Sequence, residues 1–402
     1  MSITVSPNVV KDGLILYFNM YNANKSWKGR PVINQFAIPT PDGSGNVSFA
    51  VNGTGTFQRV FSGTYGDYDI QPTDIVYRYD LGGLGCHYHG NDVTINSGQT
   101  ATWSFDYYVS PTVTGYPSTN YLANFEGVIG GSIGDPTPTV IGTWKRISFT
   151  GTAGSTGLCR MLIYPGACGD RLATGGFVLF KNPQVEFDAP GNNPSPFVAG
   201  TRSSTQSISD LTNNNTITAT SLTYASDGTF SFNGSSNYLT ISNFVNKPTT
   251  AITCEAWIKP TKSTLSGTIR GGAISATNSM YLGIIDSIDG GATHALHWAN
   301  QTSINRVTSW NGNVPNNAWS HIAGTYDGST MRAYLNGVEI YSAAQSGTIT
   351  DGTYVIGTYG GGLQDGVHNF HGILPEGKIY NRALSAEEIK QNFNATRSRY
   401  GI

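Results

Sequence analysis

Apolar and polar residues alternate with a period of two over much of the chain. In Ala101-Thr-Trp-Ser-Phe-Asp-Tyr-Tyr-Val109, residues Trp103, Phe105, Tyr107 and Val109 share one face, and Thr102, Ser104 and Asp106 the other. That is the pattern of a strand with one face on a core and one in water. Met331-Arg-Ala-Tyr-Leu-Asn-Gly-Val-Glu-Ile340 reads as a hairpin closed by Asn336-Gly337, a pair that tolerates positive φ at both central positions. Across such a turn Leu335 opposes Val338 and Ala333 opposes Ile340, so one apolar face is expected to continue through both arms. Helical periodicity is confined to the C-terminus. Ser385 stands three residues before Glu388 as a capping box, with Leu384 and Ile389 placed for a hydrophobic staple. Ile389 and Phe393 supply one apolar face. The expectation is an all-β chain with a short C-terminal helix.

Length and composition sharpen that picture. At 402 residues the chain is long enough for two or more domains. Charged residues are 12% of the total, half the roughly 25% of an average globular protein. With 50 glycines and abundant Ser, Thr and Asn, this is a turn-rich β composition whose solubility rests on uncharged polar groups. A formal charge of −2 with no basic run argues against nucleic acid as a partner. No stretch approaches the length of about 18 apolar residues, so no membrane insertion is expected. Met1-Ser-Ile-Thr-Val-Ser carries neither the basic nor the apolar region of an export signal, which implies assembly in the cytoplasm. Cys86, Cys159, Cys168 and Cys254 form no metal or redox spacing and read as buried free thiols.

The segment Phe370-His-Gly-Ile-Leu-Pro-Glu-Gly-Lys-Ile-Tyr-Asn-Arg-Ala-Leu-Ser-Ala-Glu-Glu-Ile389 resembles the closing strand and helix of concanavalin A-like, laminin-G-like jelly rolls. Three further runs carry the same likeness: Phe230-Ser-Phe-Asn-Gly-Ser-Ser-Asn-Tyr-Leu-Thr-Ile241, Ala251-Ile-Thr-Cys-Glu-Ala-Trp-Ile-Lys-Pro260 and Asn317-Ala-Trp-Ser-His-Ile-Ala-Gly-Thr-Tyr-Asp-Gly-Ser329. Val10-Lys-Asp-Gly-Leu-Ile-Leu-Tyr-Phe-Asn19 is similar to the first strand of such a domain, and Ile208-Ser-Asp-Leu-Thr-Asn-Asn-Asn215 to the segment that follows it. About 190 residues separate the two. Within that interval, Gly142-Thr-Trp-Lys-Arg-Ile-Ser-Phe149 and Gly176-Phe-Val-Leu-Phe-Lys-Asn-Pro-Gln-Val-Glu-Phe187 resemble late strands of a carbohydrate-binding-module jelly roll. The layout expected is therefore discontinuous. Residues 1–30 give the first strand, 31–200 an inserted jelly roll, 201–220 a polar connection, and 221–402 the main part of the concanavalin A-like domain. An N-terminal arm followed by two tandem domains is the alternative.

Candidate chemistry is sparse. A retaining glycoside hydrolase needs two carboxylates about 5 Å apart, and the laminarinase relatives place them on one strand as Glu-x-Asp-x-x-Glu. That string is absent, only seven glutamates exist, and Glu186-Phe-Asp188 has no following acid. Cys86-His87-Tyr88-His89 puts two imidazoles on one side of a strand with no third ligand at useful spacing; hydrogen-bonded histidines are the simpler reading. The laminin-G-like resemblance brings in calcium, with Asp327 and Asp365 as its acids. However, Pro375-Glu376 stands where many relatives have an Asp-Glu pair, and turn-forming roles fit both acids. For sugar, which needs an aromatic platform with amide partners, the candidates are Trp298, Trp310, His297, Asn300 and Tyr359. Trp257, Trp319 and Trp144 fall in strand matches and read as core.

The C-terminal run from Gln391-Asn-Phe-Asn to Arg399-Tyr-Gly-Ile402, and Ser195-Pro-Phe-Val-Ala-Gly-Thr-Arg202, resemble structural proteins of tailed bacteriophages. What this implies is a non-enzymatic virion surface protein, decorating the capsid or forming a short appendage. Its partners would be other virion proteins and host-surface glycans, with no cofactor, in a homo-oligomer for which a trimer is favoured. A tail-fibre adhesin and a polysaccharide depolymerase are the alternatives.

Overall fold

The computed structural model describes residues 8–21, 26–38, 46–47, 50–53, 57–81, 85–89, 92–114, 123–129, 140–163, 175–224, 230–261, 270–286, 293–304, 306–359 and 368–402. Strands dominate, and Ala386–Thr396 is the only α-helix among the described residues. The chain divides into two compact units. Met1–Arg30, Ser203–Ala225 and Thr229–Ile402 form unit 1, and Pro31–Arg202 falls in unit 2.

Unit 1 is a sandwich of two antiparallel sheets. One runs in the order Thr223–Tyr224, Phe230–Asn233, His371–Tyr380, Ile252–Pro260, Ser320–Tyr326, Thr330–Leu335, Val338–Ala344. The N-terminal strand Leu14–Asn19 also pairs with His371–Tyr380, placing Tyr17 opposite Lys378. The other sheet runs Thr216–Thr220, Tyr238–Ser242, Tyr354–Ile356, Arg270–Ala276, Met280–Asp286, Thr293–Gln301, Arg306–Pro315. Between them lies a core that includes Phe18, Phe232, Leu282, Trp298, Ile322 and Leu374. Residues 203–220 are more than a connection. Ile208 is buried in this core, the Tyr17 amide donates to Asp210 Oδ1 at 2.9 Å, and Thr216–Thr220 forms a sheet edge.

The hairpin corrects one register. Asn336 and Gly337 both have positive φ, 51° and 77°, and Leu335 opposes Val338. A bulge then intervenes, so Ala333 pairs with Tyr341 rather than Ile340. Val338 is 63% exposed and Ile340 packs on the core, so the apolar face does not run evenly through both arms.

At the C-terminus the capping box is complete. The Glu388 amide donates to Ser385 Oγ at 3.3 Å, and the Ser385 amide donates to Glu388 Oε2 at 2.9 Å. Leu384 and Ile389 lie in one buried cluster, and Phe393 stacks on Trp257.

Unit 2 also has two sheets. Its six-stranded sheet runs Trp144–Thr152, Thr100–Val109, Phe177–Phe187, Val76–Asp80, Phe57–Val60, Asn46–Val47. The facing sheet is built from Val93–Ile95, Gly157–Ile163, Gly85–His89, Ala50–Gly53 and Ala123–Gly127. Trp103, Phe105, Tyr107 and Val109 are all buried between them. Thr102 and Ser104, expected to face water, are buried too. Their register partners Glu186 and Gln184 accept hydrogen bonds from the Ser195 and Val198 amides, at 2.7 Å each, so the exit segment lies over that face.

Candidate ligand-binding site

Along Met280–Asp286, Met280, Leu282 and Ile284 enter the core, which turns Tyr281 and Gly283 to the other side of the sheet. On the next strand Leu296 and Trp298 point inward, and His297, Ala299 and Gln301 therefore share the outer face with Tyr281. A line of rings crosses that face. Tyr281 lies 4.6 Å from His297 and 5.9 Å from Tyr359 between centroids, and Tyr359 lies 5.3 Å from His368. Beside Tyr281 and Tyr359 is a cleft of about 250 Å³. Its buried lining is Ser279, Met280, Tyr281 and Ala299; Asn278, Gln301 and Tyr359 are the more open contributors.

Of the residues singled out from sequence, Tyr359 lines this cleft. Trp298 does not. Its side chain is fully buried, its Nε1 donates to Thr325 O at 3.3 Å, and its indole lies against Gly324, where any Cβ would collide with it. Trp298 is a core residue, because its strand parity sends it between the sheets. Asn300 is also fully buried and is tied to Gln345, donating to its Oε1 at 3.2 Å while Gln345 donates back to Asn300 O at 2.8 Å. It holds the strand and is not presented to a ligand. His297 is on the correct face but fully buried beside Tyr281. Trp310 is the register partner of His297, and its side chain lies outside the described residues. Tyr281, Gln301, Asn278 and Ser279 were missed. Tyr281 was accessible to the period-two rule, and Asn278, at a φ of 53°, to the turn chemistry of Thr277-Asn278.

Of the acids read as calcium ligands or catalysts, Asp327, Glu186 and Asp188 are each hydrogen-bonded within the fold. Asp327 Oδ1 accepts from the Ser329 and Thr330 amides and from Ser329 Oγ, and Oδ2 accepts from Arg332 at 2.6 Å. Burial pushes this carboxyl up, but the Arg332 and Ser329 hydrogen bonds outweigh it and hold it at about 2. These are the contacts of a turn, and they leave Asp327 a poor fit to a cation. Asp365 lies outside the described residues, and no group of three metal-ligating side chains occurs among those described. Glu186 is buried against Ser195, and Asp188 accepts from the Gln99 side chain and the Thr100 amide. Gly85–His89 is a strand, but the side chains of Cys86, His87 and His89 lie outside the described residues, as does Cys168. Cys159 and Cys254 are free and buried; burial pushes the Cys159 thiol up to about 12.

A second polar cluster is wholly internal. Lys378 Nζ lies 2.6 Å from Glu376 Oε1 and 3.9 Å from Glu255 Oε2, all three side chains almost fully buried. Glu376 also accepts from Asn19, Tyr400 and Tyr17, and Glu255 accepts from Asn392 at 2.9 Å. This cluster ties the N-terminal strand and the C-terminal helix to the sheet. It accounts for both carboxylate oxygens of Glu376.

Residues 233–390 match the laminin-G-type family model of the concanavalin A-like lectin/glucanases superfamily. Unit 1 has the concanavalin A-like sandwich fold. No match was found among curated proteins. Similar solved structures include domain 4 of AbnA, a GH43 extracellular arabinanase from Geobacillus stearothermophilus in complex with arabinotriose, at 21% identity and a TM-score of 0.35, covering 46% of this chain and 91% of that one. The binding domain of botulinum neurotoxin DC in complex with rat synaptotagmin II is similar at 14% identity and a TM-score of 0.35, covering 47% of this chain and 49% of that one. A heptameric SAP-like pentraxin from Limulus polyphemus is similar at 19% identity and a TM-score of 0.28, covering 35% and 69%. With scores this low, the fold assignment of the concanavalin A-like unit rests on the family match and the strand topology. No described helix is long and apolar enough to cross a membrane.

Proposed function

We propose that this chain is a non-enzymatic, glycan-binding surface protein of a tailed-phage virion. The observation that carries the binding part is the cleft on the outer face of the seven-stranded sheet, where Tyr281 and Tyr359 stand beside Asn278, Ser279 and Gln301. Aromatic rings accept the C–H face of a sugar, and amides and hydroxyls exchange hydrogen bonds with its hydroxyls. The virion assignment is supported by the C-terminal and Ser195–Arg202 resemblances and by the low charge. The non-enzymatic part of the reading is supported by the engagement of Glu186 and Asp188 and by the absence of a carboxylate among the described residues that line the cleft.

The deciding experiment is retention on immobilised host-envelope polysaccharide, with Tyr359→Ala as the variant. Retention lost without loss of folding supports the reading. Retention unchanged in the variant removes the cleft from it, and new reducing ends in the polysaccharide would return a depolymerase to first place. Binding is expected to survive chelation by EDTA, because Asp327 is committed to its turn. We further propose a homo-oligomer, a trimer by preference, since a particle protein must meet symmetry with closed, matching interfaces. Light scattering that gives a monomer would reject it.

A further inference from the structure

We infer that the cleft takes a single, uncharged sugar ring. The inference rests on the glycan-binding reading and narrows its ligand. None of the described residues lining the cleft is ionisable near neutral pH: the buried part is Ser279, Met280, Tyr281 and Ala299, and the open part ends in amides and a phenol. An acidic sugar brought against such walls gives up hydration with no cation to pair it, which costs free energy. Proteins that take carboxylates or sulfates supply an arginine or lysine fork for the purpose. A neutral ring asks only for a face to stack on and amides to bond, and both are present. Size points the same way: about 250 Å³ is below the roughly 300 Å³ at which drug-sized pockets begin. That admits one ring, a chain terminus or a branch, and not a polymer lying along the sheet.

Arg306 stands opposite Gln301 on the neighbouring strand. It supplies the control. Binding of methyl glycosides of neutral hexoses, their trisaccharides, glucuronic acid and N-acetylneuraminic acid would be measured by saturation-transfer NMR and calorimetry at about 50 and about 500 mM NaCl. The expected result is at least one neutral glycoside bound about tenfold or more tightly than either acid. Its affinity should be salt-insensitive, unchanged in Arg306→Gln, and raised by less than about tenfold in the trisaccharide. Preference for an acid, lost at high salt or in Arg306→Gln, overturns the inference while leaving glycan binding intact. A trisaccharide gain of well over tenfold overturns the single-ring part. If no sugar binds, the glycan-binding reading fails, and this inference with it.

Discussion

Glu255 shows what burial does to one residue. Burial pushes its carboxyl up to about 7, against the opposing pull of Lys378 and Asn392. A folded state that holds a proton the unfolded chain has released gains stability from it in acid. That gain is present below the ordinary carboxylate range and is lost as pH rises through about 7. Unit 1 is therefore expected to lose stability between about pH 4.5 and 7, on the order of 1–3 kcal/mol from this group. Glu255→Gln should flatten that slope in denaturant titrations at stepped pH; an unchanged slope would reject the assignment. Trp298 and Tyr359 give a second residue-scale contrast. Trp298→Ala should cost about 3–5 kcal/mol by opening a core cavity, seen as a lower unfolding midpoint. Tyr359→Ala, at a half-buried ring, should barely move that midpoint while abolishing retention on glycan. Equal destabilisation by both would mean that Tyr359 is a packing residue only.

Among the elements, the C-terminal helix is the one most completely specified by local chemistry. Its cap, its first-turn acids Glu387 and Glu388, and its apolar pair all act within a few residues. Ser385→Ala should therefore cost about 1 kcal/mol, measurable as a shifted midpoint with an unchanged denaturant slope. The helix also closes the buried ion cluster through Asn392, whose Oδ1 accepts from the Val10 amide at 2.7 Å while its Nδ2 donates to Glu255. Asn392→Ala should exceed the cap variant, since it leaves a buried carboxylate short of a donor. A smaller effect than Ser385→Ala would show that the cap, not the cluster, holds the helix.

For the whole molecule, the decisive fact is that unit 1 is assembled from the two ends of the chain. Leu14–Asn19 pairs with His371–Tyr380, and residues 203–220 pack beside that strand. Replacing residues 31–202 by a short Gly/Ser linker should leave unit 1 folded, with the same cleft-dependent retention on glycan. Removing residues 1–20 should expose the Glu255–Glu376–Lys378 cluster and unfold it. A chain that tolerates the second change and not the first would overturn both expectations.

The sequence by itself determined the β class, the Asn336-Gly337 turn and the capped helix. Each is encoded by residues within a few positions of one another, through side-chain alternation, positive φ and cap hydrogen bonds. The pairing of Leu14–Asn19 with the C-terminal strand was also legible, from the halves of one strand pattern lying at opposite ends. Tertiary structure decided the rest. It turned Trp298 into the core and Tyr281 out of it, because the face a strand shows depends on which sheet it joins. It placed a bulge between Ala333 and Tyr334 and buried Thr102 and Ser104 beneath a distant segment. It also spent Asp327 on its own turn and Glu376 on Lys378. Whether a polar group is free to meet a ligand depends on its neighbours in space, and residues far apart in the chain supply them.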